Sequence, residues 1–167
     1  MDALTKLRSN FALSTLTALA LGVALHYAYS IARLLFQPLA VWIGPYFIDP
    51  YAEYSWVSGV TLNVVYSAVS GLAASVVILT AMVWLLRPKT HFLPQVAALP
   101  FIVLSYWWFV RDVPGFLQAA STEHVFTVLA SHLGAIGVWL LTSWWVIRRQ
   151  TANKRSQRSA QSAPAAG

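Results

Sequence analysis

The sequence predicts an all-α integral membrane protein: a four-helix bundle of transmembrane helices with both termini in the cytoplasm. Three observations carry this. The 167 residues are 58% hydrophobic, 10% charged and free of cysteine, with a mean hydropathy of +0.62, whereas a soluble domain is about a quarter charged. The few charges leave uncharged gaps long enough to cross a bilayer. Nine of the eleven basic residues collect at alternate ends of those gaps.

Between Arg8 and Arg33 lie 24 residues without formal charge, and between Glu53 and Arg87 lie 33. From Arg87 to Arg111 there are 22 apart from Lys89, and from Glu123 to Arg148 there are 24, taking histidine as neutral. A helix needs about 20 apolar residues to cross about 30 Å of hydrocarbon. In lipid only helices and closed barrels satisfy every backbone group, and these runs are continuous rather than alternating, so helices are preferred over barrel strands. The spans read as Phe11–Ala32, Val57–Leu86, Phe92–Val110 and Val125–Ile147, forming one domain over residues 1–149. Lys6, Arg8, Arg87, Lys89, Arg148, Arg149, Lys154, Arg155 and Arg158 fall on one side, Arg33 and Arg111 on the other. Basic loops stay cytoplasmic, so the chain is read as N-in and C-in.

Each element has its own logic. The first span begins like a signal peptide, with Lys6, Arg8 and the small-x-small Ala18-Leu19-Ala20, but its apolar run continues to Ala32 and makes a full span rather than a cleaved leader. Residues 33–56 read as an outer aromatic loop. Leu34, Leu35, Phe36, Trp42, Ile43, Tyr46 and Phe47 are interrupted by Pro38, Pro45 and Pro50, too short and broken to span. It is expected to lie along the interface or over the bundle mouth.

The second gap would extend about 50 Å as one helix. Its outer end, Tyr54 to Gly59, is therefore expected to be interfacial, with Tyr51, Tyr54 and Trp56 at headgroup level. In the third span Pro94 is near the start, whereas Pro100 is expected to kink the helix or leave a carbonyl unpaired. Residues 150–167 are basic, polar and small, and read as a disordered cytoplasmic tail.

Small residues dominate the rest of the pattern. Ser67, Gly71 and Ser75 recur every four positions beside Ser70 and Ala74; Ala18 and Gly22 do so in the first span, and Ala130, Gly134 and Gly137 line the fourth. Such strips let helix backbones approach closely, with partner docking as the alternative use. Asn63 and Tyr66 are expected to hydrogen-bond between helices.

Function is carried by fewer residues. The first reading is a non-enzymatic accessory, assembly or binding subunit, with no cofactor, acting through its helix faces and through Trp42, Tyr46 and Phe47 in the outer loop. Aromatics with few charges mark interface cores. Its partners would be the lipid bilayer and another membrane protein or a second copy, not nucleic acid, because the basic cluster at 148–158 adjoins a span and is explained as a stop-transfer signal. The alternative is a haem b-binding electron-transfer subunit. His26 and His132 lie at similar depth on helices running opposite ways and could ligate one iron, with Arg33 and Arg111 pairing with the propionates. The four-helix plan is similar to that of the small membrane cytochromes b. That family's aromatic and histidine signatures are missing, so none of its residues is carried over.

A transporter would want a polar path, for which Asn63, Tyr66 and His132 are thin support. Glu123 is read as first-turn helix stabilisation with Ser121 or Thr122 as cap, and His124 and Asp112 do not make metal-ligand spacing with it. No HExxH, GxSxG or phosphate-binding glycine loop is present, which gives hydrolytic chemistry no positive support. A bacterial inner membrane is the expected location.

Overall fold

The computed structural model describes the backbone of residues 3–47, 55–88, 91–119 and 122–161, and the side chains of 3–46, 57–88, 91–107, 125 and 128–152. Every described element is a helix: α1 (Ala3–Ser9), α2 (Phe11–Phe47), α3 (Ser55–Leu86), α4 (Phe92–Ala119) and α5 (Thr122–Gln161). Three of them contain stretches long and apolar enough to cross a membrane, Phe11–Tyr46, Val57–Leu86 and Val128–Ala152, and α4 contributes a shorter apolar stretch, Phe92–Trp107. This is the composition of a membrane protein.

The boundaries have local causes. Asn10 separates α1 from α2, and its Oδ1 accepts a hydrogen bond from the Leu13 N–H at 3.1 Å, satisfying one of the unpaired donors of the first turn. α3 stops at Leu86, where Arg87 takes the left-handed conformation (φ 46°) and its N–H donates to the Val83 carbonyl at 3.2 Å. Pro88 follows and cannot extend the helix. Arg8 reaches over from α1: its Nε and one terminal nitrogen donate to the carbonyls of Leu85 (2.9 Å) and Trp84 (2.6 Å). A cation thus closes the negative end of the α3 dipole.

Two expectations fail at helix ends. The segment 33–56 is not a loop throughout: α2 runs unbroken through Pro38 and Pro45 to Phe47. A proline removes one donor and crowds one carbonyl, which a local bend relieves, and extending a helix already nucleated costs far less than starting a new one. Pro50, Tyr51 and Tyr54 lie outside the described residues, as do the Ser121 cap and the side chains of Trp56, Asp112, Glu123 and His124. The tail is likewise helical as far as Gln161. Ala, Lys, Arg and Gln are good helix formers, and extending a helix already nucleated costs far less than starting one.

α2 packs against both α3 and α4, α3 packs against α5, and α4 closes the ring on α5 through a smaller contact. Among the described residues α2 has no backbone approach to α5, nor α3 to α4, so these pairs lie on the diagonals. α2 and α4 run parallel, with Phe11 stacked on Phe92 and, further along both helices, the tilted rings of His26 and Phe101 6.3 Å apart. α3 and α5 are parallel too, with Gly71 against Ala135. Among the described residues the core includes Ala18, Leu25, Tyr29, Ala74, Ile78, Leu79, Met82, Leu86, Ala97, Ala98, Phe101, Ala135 and Trp139. On α5 the buried positions are Ser131, Ala135, Trp139, Ser143 and Ile147, a four-residue ridge of the kind that seats in a neighbour's groove.

Small residues set the spacing of the helices. A Cβ on Gly22 would collide with the Ala97 carbonyl of α4, and one on Gly71 would sit 3.1 Å from the Ala135 Cα of α5. Gly137, by contrast, faces open space. Of the small-residue strips, those around Gly22 and Gly71 are packing seams.

Candidate functional site

Two places depart from plain apolar packing. The first lies inside the bundle, toward the end that carries Arg33. α2 supplies His26, Tyr29 and Arg33, α3 supplies Tyr66, α4 supplies Phe101, Ser105 and Tyr106, and α5 supplies His132. The three-to-four-residue spacing on α2 puts its three members on one face, and ring contacts tie His26 to Phe101 of α4 and Tyr29 to His132 of α5.

The contacts are specific. His26 Nδ1 lies 3.3 Å from Ser105 Oγ, and His132 Nδ1 lies 2.8 Å from the Val128 carbonyl one turn back on its own helix. A carbonyl only accepts, so His132 carries its proton on Nδ1, and in the neutral ring Nε2 keeps its lone pair. Tyr29 stands edge-on to Phe101 at 5.5 Å and to His132 at 6.4 Å between ring centroids. The Tyr106 ring lies 5.5 Å from His132.

The Arg33 guanidinium sits over Tyr66 at 5.1 Å and Tyr29 at 5.8 Å, where ring quadrupoles stabilise a cation. Tyr66 donates its hydroxyl to the Arg33 carbonyl, the interhelical bond expected of it. Asn63 instead donates to Gly59 O at 3.0 Å, one turn back on its own helix. Tyr29 is 3% exposed, and its hydroxyl has no hydrogen-bond partner among the described residues. A buried unpaired hydroxyl costs about 1–3 kcal/mol.

The structure thus brings together three of the four residues singled out for haem, His26, His132 and Arg33; the side chain of Arg111 lies outside the described residues. As donors the two imidazoles suit a metal, and the Nδ1–carbonyl bond of His132 is the usual orienting contact of a ligating histidine. As a space the site suits it poorly. Phe101 packs against both His26 and Tyr29, and Tyr29 against His132, so a planar macrocycle held by both imidazoles would have to displace rings that are already packed. No group of three or more His, Cys, Asp or Glu side chains gathers among the described residues. What the cluster offers as it stands is hydroxyl and imidazole hydrogen bonding around one cation.

The second place is the far end of α2. Beyond Ala32 the only described residue that is buried is Gly44, beside Leu62 of α3. Leu34, Leu35, Leu39, Val41, Trp42 and Tyr46 are all exposed, Trp42 at 66% and Tyr46 at 78%. Trp42 and Tyr46, one turn apart, lie with ring centroids 5.8 Å apart. Two of the three residues expected to meet a partner therefore share one helical face, and the side chain of Phe47 lies outside the described residues.

Sequence reasoning passed over two tertiary anchors. Trp139 is 1% exposed and donates its indole N–H to the Pro94 carbonyl of α4 at 3.0 Å; the four-residue ridge on α5 was the available signal. Arg8, a topogenic charge by its place in the sequence, is the second, through its bonds to Leu85 O and Trp84 O. No protein-family model, no curated protein and no solved structure matches the chain.

Proposed function

We propose that this protein is a four-span subunit of a bacterial inner membrane, N-in and C-in, which acts without catalysis by docking another membrane protein on the extended end of α2. One observation carries the reading. α2 continues for about four turns beyond Ala32, its last core residue apart from Gly44, and displays Leu34, Leu35, Leu39, Trp42 and Tyr46 unburied. Its apolar stretch from Phe11 to Tyr46 extends about 54 Å, against about 30 Å of hydrocarbon. Taking Arg8 and Arg33 as the two charged boundaries, the exposed apolar face stands outside the hydrocarbon, and large exposed apolar patches there mark interaction sites.

The chain has no cysteine, so single-cysteine variants at Ser9 and Tyr46 test the orientation: the Tyr46 position is expected to label from the periplasm and Ser9 only after permeabilisation. Photo-crosslinking residues at Trp42 and Tyr46 in living cells are expected to give the same discrete protein adduct, absent at lipid-facing Val103. Indistinguishable adducts from all three positions would overturn the docking role.

A haem b subunit remains the second reading, supported by the Nδ1-protonated His132, whose Nε2 keeps its lone pair in the same cluster of rings that holds His26. An absorption spectrum of detergent-purified protein, oxidised and dithionite-reduced, decides it. A Soret band lost in both His26→Ala and His132→Ala establishes the cytochrome; a featureless spectrum from haem-replete cells removes it.

A further inference from the structure

The two parallel helices α3 and α5 leave an open trough of about 650 Å³ between them toward the C-terminal end of α3. Its walls are apolar, with Leu72, Val76, Leu79, Val83 and Val146 among them, and Trp84 and Trp145 flank the end where Arg87 stands. The register that sets Gly71 on Ala135 brings Arg149 level with Leu85. Arg149 lies with its guanidinium 4.0 Å from the Trp145 ring centroid, and Arg148 lies 5.0 Å from that of Trp144. Arg8 is hydrogen-bonded to the same end of α3. The described residues around this mouth include four arginines and no carboxylate.

Arg87 adds an independent argument. It occupies the left-handed position that ends α3, where glycine is the favoured residue and any side chain is strained. Its side chain is exposed and lines the trough. Strained non-glycine residues concentrate where the side chain has a task.

We propose that this trough binds an anionic phospholipid, with an acyl chain lying along Leu72, Val76 and Val83 and the phosphate held by Arg87 and Arg149. Charge complementarity selects the occupant. Trough and mouth are apolar and cationic in the order in which a lipid is apolar and anionic, and basic pockets between transmembrane helices are suited to such headgroups. Two tryptophans at the junction match the interfacial level where chain meets headgroup. The proposal is independent of the docking role of α2.

Native mass spectrometry of the detergent-purified full chain, titrated with phosphatidylglycerol or phosphatidylcholine of matched chains, tests it. The wild type is expected to retain one phosphatidylglycerol in preference to phosphatidylcholine. Arg87→Gly is the informative variant, since it relieves the backbone strain while removing the cation. It is expected to lose about five-fold in phosphatidylglycerol affinity with a melting temperature equal to or above wild type. Thr80→Trp, which fills the trough and leaves every arginine in place, is expected to lose both lipids. Equal retention of the two lipids by wild type, or undiminished phosphatidylglycerol binding in Arg87→Gly, would overturn the proposal. So would displacement of the lipid by millimolar inorganic phosphate, which would assign the mouth to a free anion. A disulfide-linked dimer from Val76→Cys in membranes would assign the trough to a second copy and would equally overturn it.

Discussion

α2 holds two regions built from similar apolar residues and placed in opposite surroundings. From Ser14 to Ala32, one face, Ser14, Ala18, Gly22, Leu25, Tyr29 and Ala32, is buried against α3 and α4. From Leu34 to Tyr46, the larger residues Leu34, Leu35, Leu39, Trp42 and Tyr46 are exposed. Hydropathy does not separate the two. Size does: where small residues recur at helical spacing, backbones come close enough for dispersion contacts and buried hydrogen bonds, and where bulky ones recur they do not. Small residues at helical spacing are what let helix backbones approach closely. The helix faces that pack are those whose shape permits it.

The comparison breaks most readily at the packed end. Trp139→Ala removes the largest fully buried side chain and its bond to the Pro94 carbonyl. We expect about 3–5 kcal/mol of destabilisation, read as a collapse of the melting temperature in detergent. Gly22→Val comes next. Its added atoms meet the Ala97 backbone rather than a side chain that could turn aside, so about 1–3 kcal/mol of overpacking is expected, with α2 and α4 forced apart; a cysteine pair across that seam would report the separation. Tyr29→Phe sharpens the comparison in the other direction. It deletes the buried unpaired hydroxyl and keeps the ring against Phe101 and His132, so stability is expected to rise by about 1 kcal/mol. A fall in unfolding temperature would mean that the hydroxyl has a partner. The smallest effect belongs to the exposed end. Trp42→Ser with Tyr46→Ser is expected to change stability by less than about 0.5 kcal/mol while abolishing the crosslinked partner, and substantial unfolding would mean that these rings belong to the fold.

The candidate sites were unequally legible. His26 and His132 could be placed at matching depth from sequence, because rise per residue is a property of the helix itself and the charged boundaries supply an origin. That Tyr29 stands beside them could not, since its depth is as ordinary as that of any residue on its face. Trp42 and Tyr46 drew notice by composition, yet the prolines around them suggested a broken loop. Whether a helix survives Pro38 depends on what else its backbone could bond to, and one residue type does not encode that. The trough between α3 and α5 left no trace in the sequence beyond scattered arginines and tryptophans, for it is a gap between two surfaces far apart in the chain.

The sequence by itself determined that this chain is helical, too apolar for water and divided into four apolar segments whose starts at Phe11 and Phe92 and end at Leu86 agree with the structure. These are sums over neighbouring residues, and charge is excluded from hydrocarbon wherever it stands. Only the tertiary structure decided that α2 pairs with α3 and α4 while α5 lies across the diagonal, that Gly22 and Gly71 are seams and Gly137 is not, and that Arg87 overlooks a groove. Those outcomes depend on the fit of one helix surface to another, and four segments of similar hydropathy carry no local mark of which surface each will meet.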